Sequence, residues 1–230
     1  MSQQKINIPK LGIFLGLVAA IAAGLLSGVD AMTKPRITAN KKAATNAAMK
    51  QVLPEYDNDP STETNTFKSV NGWDVTFYTA RKDGEIVGYA GKVDNPDEGF
   101  SGTISLMVGL APDGSVGNIV HDGQTNSAVI VTAQTETPGL GTAVTDRKLQ
   151  KTIVDLFSGG RGNDGLIANK YLDWYAGRTA AEDRWPIVKD GEKVNGKTGA
   201  TITSAAIGGA VHAIGKTAID NLEQLSQGAE

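Results

Sequence analysis

The stretch KTGATITSAAIGGAVHAIGKTAIDNLEQL, residues 197–225, decides how this chain folds. Ile207, Ala210, Val211, Ile214, Ala218, Leu222 and Leu225 recur three or four positions apart, which places one apolar stripe along a helix. A helix with a single stripe needs a surface to lie on, so the preceding residues must supply one. Its start is marked by Thr198-Gly199-Ala200-Thr201-Ile202-Thr203-Ser204, with Thr203 or Ser204 expected as the N-cap. The N–H groups of a first helical turn lack intrahelical acceptors, and together with the positive end of the helix dipole they favour an anion. Gly199 and Ala200 leave room for close backbone approach, and the hydroxyls of Thr198, Thr201 and Thr203 fall within one turn. Such a turn can hold a phosphate, although threonines and serines also cap helices with no ligand at all.

Upstream, the period changes from helical to alternating. Residues 74–80 place Val75, Phe77 and Thr79 on one face, Lys82-Asp83-Gly84 makes a turn, and residues 86–93 return as the second arm of a hairpin. Residues 103–110 form a further apolar strand, followed by a turn at Pro112-Asp113-Gly114 and a partner strand over 116–120. Residues 128–133 read as another strand, 57–65 as a loop, 148–157 as a short amphipathic helix and 158–164 as a glycine-rich surface loop that lacks the lysine of a phosphate-binding loop. Antiparallel pairing through short turns, with helices at the end of the chain, implies an α+β domain: a twisted antiparallel sheet with packed helices.

The N-terminus adds an anchor. Residues 11–29, LGIFLGLVAAIAAGLLSGV, are uncharged with Ser27 as the one polar side chain, and are long enough to cross a bilayer as a helix. A cleaved signal peptide is the competing reading, since Lys5 and Lys10 precede the run, but the run is longer than a signal core and no Ala-x-Ala site ends it. Pro35 is expected to break or restart the helix, with a juxtamembrane helix over 37–52 ending at Pro54. The expected layout is a tail (1–10), a transmembrane helix (11–29), a juxtamembrane helix (30–56) and one extramembrane domain (57–230). Lys5 and Lys10 on one side are outnumbered by Lys34, Arg36, Lys41 and Lys42 on the other, a count that by itself places the domain in the cytoplasm.

Composition excludes several chemistries. At 230 residues and 40% hydrophobic the chain can bury a full core, and its net charge of -3 gives no basic footprint for nucleic acid. With no cysteine there is no disulfide, no thiolate nucleophile and no cysteine-ligated cluster, so redox chemistry requires an organic cofactor. His121 and His212 are too far apart in sequence to indicate a metal site. Trp73, Trp174 and Trp185 are expected to be packing residues, and Asp173, Glu182 and Asp183 solvated charges.

Residues 195–201, Asn-Gly-Lys-Thr-Gly-Ala-Thr, resemble the flavinylation motif of the FMN-binding domain shared by the G subunit of Rnf electron-transport complexes and the C subunit of sodium-pumping NADH:quinone reductases. That motif runs Asp, two variable residues, Ser or Thr, Gly, Ala, Thr, and its last threonine carries FMN through a phosphoester, so the resemblance implies attachment at Thr201. Asn195 stands where the family usually has Asp; it keeps the size and an acceptor oxygen but not the charge. Glu136-Thr137-Pro138-Gly139-Leu140-Gly141 is similar to the family's second patch, which lies against the flavin. In that comparison Leu140 offers apolar contact, Glu136 or Thr137 bonds polar flavin atoms, and Gly139 lets the chain approach a flat ring. The resemblance implies no catalytic residue, no metal and one cofactor, with Thr198, Gly199, Ala200 and Thr203 around Thr201. It implies a flavoprotein electron carrier of the cell (inner) membrane, single-pass, with its domain outside the cytoplasm. Its partners would be the other membrane subunits of an Rnf ferredoxin:NAD oxidoreductase, a flavin transferase for maturation, and the lipid bilayer. Alternatives are the quinone-reductase C subunit, a stand-alone extracytoplasmic FMN protein, and a non-redox surface binding domain.

Overall fold

The structure, a computed structural model, describes residues 8–94, 99–121, 124–147, 167–180, 185–188 and 194–227. The helix expected over 148–157, the glycine-rich loop over 158–164, and Glu182 and Asp183 lie outside these. The chain divides into two compact units, Met1–Ala44 and Thr45–Glu230.

Helix α1 spans Ile8–Val52, and Pro9–Val52 is long and apolar enough to cross a membrane. Its apolar side chains, among them Phe14, Leu15, Ile21, Leu25 and Leu26, are exposed. Pro35 does not break this helix but sits within it. Proline removes one backbone donor and disfavours the turn before it. Here the neighbouring residues are Ala, Met, Lys and Thr, and the hydroxyls of Thr33 and Thr38 donate to the carbonyls of Val29 and Lys34 at 2.8 and 2.9 Å. These local bonds accompany the helix through the proline.

Among the described residues the second unit carries seven strands: β1 (Thr64–Lys68), β2 (Asp74–Lys82), β3 (Glu85–Val93), β4 (Ser105–Leu110), β5 (Asn118–His121), β6 (Gln124–Ser127) and β7 (Val129–Ala133). Five of them form one antiparallel sheet in the order β1-β2-β3-β4-β7, while β5 and β6 pair in a separate ribbon. The β2–β3 hairpin closes at Lys82 and Glu85 through Asp83 and Gly84, at φ of 53° and 85°. Positive φ at both central positions is the two-residue turn that an Asp-Gly pair favours, because its twist matches that of the flanking strands.

Among the described residues three α-helices follow the strands: α2 (Thr142–Thr145), α3 (Thr201–Asp220) and α4 (Leu222–Gln227). The alternation assigns each face of the sheet. Val75, Phe77, Tyr89, Val93, Leu106, Val108 and Leu110 point to one side and bury against Ile207, Ala210, Val211 and Ile214 of α3. Ala80, Ala90 and Met107 point to the other side and meet Ala48, Met49, Val52 and Leu53 at the end of α1. The helical stripe read from the sequence is therefore the stripe that lies on the sheet. At Asn221 it breaks, and α4 carries Leu225 into the same core.

Three expectations change. Residues 64–68, within a stretch expected to start as loop, form the edge strand β1, whose one large apolar side chain, Phe67, is too little for an alternation signal. The segment expected as a single partner strand over 116–120 divides: Val116 bridges Leu110, and then β5 turns away to pair with β6. The N-cap of α3 falls three or four residues before the expected Thr203 or Ser204: Ala200 holds that position, with no side-chain capping bond.

Candidate functional site

The early start of α3 changes what its hydroxyls do. Thr201 becomes the first helical residue and is exposed, whereas Thr203 turns inward and is buried. Ser204 is also buried; its hydroxyl donates to the Ala200 carbonyl at 2.8 Å and accepts from the Lys197 amide at 3.3 Å. Neither of the two expected caps serves as one. The turn before the helix, closed by the Ala200 N–H on the Lys197 carbonyl at 3.0 Å, needs Gly199 at a φ of 85°.

Both sequence motifs and a third segment meet at Glu136. Its carboxylate is buried: Oε2 accepts from Thr203 Oγ1 at 2.7 Å and Oε1 accepts from the Ser101 backbone N–H at 3.3 Å. A Cβ at Gly99 or at Gly141 would collide with one of these oxygens, so both glycines leave the space the carboxylate occupies. Around this centre Thr135 Oγ1 donates to the Ser101 carbonyl at 3.1 Å, and the hydroxyls of Ser101 and Thr137 lie 3.2 Å apart. Lys197 Nζ donates to the Gly139 carbonyl at 2.6 Å, a charge-assisted link between the two motifs. A Cβ at Gly199 would lie 3.5 Å from Leu140 Cδ2, so the tip of one motif rests on the other.

Of the expected site residues, Thr198, Gly199 and Thr201 are exposed at the start of α3, with Ala200 buried beneath them. Gly139 and Leu140 are exposed on the adjoining turn, and Thr137 is half-buried. Glu136 and Thr203 are brought together but face inward, so they hold the site's shape from below. Leu140 and Ile202 remain 45% and 53% exposed. Phe100, on the segment whose Ser101 bonds Glu136 and Thr137, is 70% exposed. Sequence reasoning missed the segment 99–102 and Lys197; the run Gly-Phe-Ser-Gly, an aromatic between glycines just before a strand, was the available signal.

The aromatic residues and Asp173 also find their places. Trp174, Trp185 and Tyr175 are buried and form a cluster with His212 of α3, whose ring stands edge-on to Trp185 at 5.3 Å. Trp73 is half-buried against the core, so packing is the role of all three tryptophans. Asp173 is not a solvated charge: Oδ1 accepts from Arg147 Nη2 at 2.7 Å and from the Ser127 N–H at 3.0 Å, and Oδ2 from the Asn169 N–H at 2.7 Å. Burial pushes the Arg147 guanidinium down while Asp173 pulls it back up. Among the described residues no cluster of His, Asp and Glu has the form of a metal site. Two cavities, of about 320 and 450 Å³, lie at Val52, Pro54, Leu110 and Ile119 and at Trp73, Tyr78 and Lys92, and include no residue of either motif.

Comparison with known proteins agrees with this geometry. The family description "RnfG N-terminal region" matches residues 1–52, and "FMN-binding domain" matches residues 99–215, from the Phe100 segment into α3. Similar proteins include the G subunit of the ion-translocating oxidoreductase complex of Photorhabdus laumondii, 31% identical over 90% of this chain and 87% of the relative. The protein of the same name from Escherichia coli O157:H7 is 32% identical over 96% of both chains. That from Haemophilus influenzae strain PittEE is 31% identical over 86% of this chain and 84% of the relative. Related to these proteins over nearly its whole length, the chain belongs to the family of G subunits of ion-translocating oxidoreductase complexes.

Proposed function

We propose that this protein is a membrane-anchored electron carrier of an Rnf-type ion-translocating oxidoreductase complex, holding FMN by a phosphoester at Thr201 Oγ1. The observation that carries the reading is the exposed Thr201 at the first position of a 20-residue helix, set beside exposed Ile202 and, across Gly199, exposed Leu140. A phosphate on Thr201 would meet the positive end of α3, where the dipole and the first-turn N–H groups favour it. Leu140, Ile202 and Phe100 offer apolar surface to a flat ring, and Gly199 and Gly139 keep the adjoining backbone bare. Lys197 places a positive charge between the two motifs.

FMN supplies one- and two-electron transfer when bound, and the protein supplies position and surroundings. Thr201 tethers, the helix start neutralises, the apolar side chains orient the ring, and Glu136 with Thr203 fixes the two motifs against each other. No side chain of the site is assigned a proton-transfer step. A covalent link suits a site on an open surface, because retention then does not depend on enclosure.

The matched N-terminal region and the names of the relatives support the Rnf G subunit over the quinone-reductase C subunit, the stand-alone flavoprotein and the non-redox binding domain. In this reading residues 1–10 are a tail, 11–29 span the membrane, 30–56 form the juxtamembrane segment, helical as far as Val52, and 57–230 form the flavin domain. The domain faces away from the cytoplasm, its partners are the other membrane subunits, and a flavin transferase completes it. The chain has no cysteine, so a single Gln224→Cys on exposed α4 is labelled by an impermeant maleimide in intact cells only if the domain faces outward.

Co-expression with a flavin transferase followed by in-gel illumination tests the attachment. A fluorescent band that is lost in Thr201→Ala is expected; a colourless wild-type band would remove the covalent reading. Fluorescence that survived Thr201→Ala would move the tether elsewhere.

A further inference from the structure

We infer that Asn195 is a positioning residue that fixes the attachment turn from inside the domain, rather than a group presented to the enzyme that modifies it. The inference rests on Thr201 as the attachment point. Asn195 is 3% exposed, so its side chain offers no surface to an incoming protein. Both ends of its amide are committed: Oδ1 accepts from the Val188 N–H at 2.7 Å and Nδ2 donates to the Pro186 carbonyl at 3.1 Å. The backbone N–H groups of Asn195 and Gly196 both donate to the Val188 carbonyl, each at 3.1 Å. Four hydrogen bonds thus join residues 195–196 to residues 186–188.

That second segment is itself held, because Trp185 is buried among Trp174, Tyr175 and His212, and His212 belongs to α3. The turn over 197–200 therefore leaves one point fixed on α3, through Trp185 and Asn195, and ends at another, the first residue of α3. A short turn with both ends tied to one helix has little freedom, which sets where Thr201 Oγ1 stands. Each amide group at 195 matches its partner; a carboxylate could accept from Val188 but could not donate to Pro186. An alanine could do neither and would leave the part-buried Val188 N–H and the Pro186 carbonyl without these partners.

The test uses the full-length protein, purified in detergent after co-expression with a flavin transferase, as wild type, Asn195→Ala, Asn195→Asp and a remote control, Phe67→Ala on β1. Intact-mass spectrometry reads the rate of FMN addition. Hydrogen exchange of residues 186–200 is read separately in a Thr201→Ala background, where no flavin enters. Asn195→Ala should slow FMN addition about tenfold, in the range of other outer-shell losses, and speed exchange at Val188. Asn195→Asp should restore part of both. Phe67→Ala should lower the Tm yet leave addition at the wild-type rate.

The inference is overturned if Asn195→Ala is modified at the wild-type rate, if addition slows with Val188 exchange unchanged, or if Phe67→Ala slows addition equally. Should the wild type gain no FMN mass, the attachment reading fails, and the exchange arm still decides whether Asn195 holds the turn.

Discussion

Glu136 Oε2 accepts the hydroxyl of Thr203 at 2.7 Å, and both side chains are buried although 67 positions separate them in the chain. This bond joins the Pro-Gly turn to the first turn of α3. A hydrogen bond to a carboxylate contributes about 1.5–3 kcal/mol, and a buried carboxylate that loses its donor costs more than a pair removed together. Thr203→Val should therefore lower stability by about 2 kcal/mol, while Glu136→Gln, which keeps an acceptor oxygen, should cost about 1 kcal/mol. Urea unfolding of both single variants and the double should show a coupling energy above about 0.5 kcal/mol, the level expected of residues in contact. Additive effects would mean that the bond contributes nothing of its own.

Gly199 tests the turn that leads into the proposed attachment residue. Its φ of 85° is costly for any residue with a Cβ, whereas the space around it is adequate, with Leu140 Cδ2 at 3.5 Å from a methyl placed there. Gly199→Ala should then lose about 1 kcal/mol through the backbone alone, and the cost should not shrink when Leu140 is also cut to Ala. Thermal unfolding of the single and double variants separates strain from crowding. A loss that disappears in the double variant would point to crowding.

Much of this architecture is legible in the chain. The stripe of Ile207, Val211 and Ile214 and the alternation through Val75 and Phe77 have periods that only one helix and one strand satisfy, and the Asp83-Gly84 pair names its turn. Legibility fails where a residue's role depends on a partner distant in sequence. Thr203 resembles a cap because a cap is a local feature; its actual partner, Glu136, is visible only once the sheet has brought the two turns together. Asp173 reads as solvated for the same reason, since Arg147 and Ser127 meet it through tertiary structure alone. Strand β1, with Phe67 as its one large apolar side chain, is held by pairing with β2 more than by any pattern of its own. The Phe100 segment escapes because an exposed aromatic beside glycines carries no periodicity.

The Arg147–Asp173 pair gives a stability prediction of the opposite kind to a surface ion pair. Their side chains are 5% and 16% exposed, and Arg147 also donates to the carbonyls of Val129, Ile167 and Ser127. Removing one partner leaves a buried charge uncompensated, a loss of about 3–5 kcal/mol. Asp173→Ala should approach that range, and the double variant Arg147→Met with Asp173→Ala should recover part of it. By contrast Lys68→Ala, which breaks an exposed pair with Asp74, should change stability by less than about 1 kcal/mol. Equal losses at the two sites would contradict the burial argument.

Tyr175 predicts a pH effect. Its phenol is fully buried, makes no hydrogen bond of full geometry among the described residues, and is pushed above the usual 10.0 by burial, while the neighbouring Asn195 amide and the Arg178 charge pull the other way too weakly to offset it. A group whose folded pKa is raised contributes stability that is complete below its unfolded pKa and drains away as pH rises toward the folded value. Wild-type stability should therefore fall from about pH 10 upward, and Tyr175→Phe should make that fall shallower. At pH 7 the same variant should match or exceed the wild type by about 1 kcal/mol, because an unsatisfied hydroxyl is removed while the ring is kept. Chemical denaturation at pH 7 and pH 11 checks both statements, and an unchanged alkaline slope would show that this phenol does not ionise on unfolding.

The exposed apolar side chains give the sharpest test of how the flavin ring is held. If Leu140 and Ile202 form its resting surface and Thr201 is its tether, as proposed, Leu140→Asp and Ile202→Asp should leave FMN attached. What they should change is the environment of the ring: apolar contact of this size is worth about 1 kcal/mol per side chain, enough to shift a docked ring largely into solvent when both are lost. Visible circular dichroism of the flavin should weaken in each single variant and nearly vanish in the double, while absorbance per protein stays constant. Phe100→Asp provides the third arm, because Phe100 is exposed on the segment whose Ser101 bonds Glu136 and Thr137. A flavin dichroism unaffected by all three variants would place the ring on another surface without bearing on the proposed tether at Thr201.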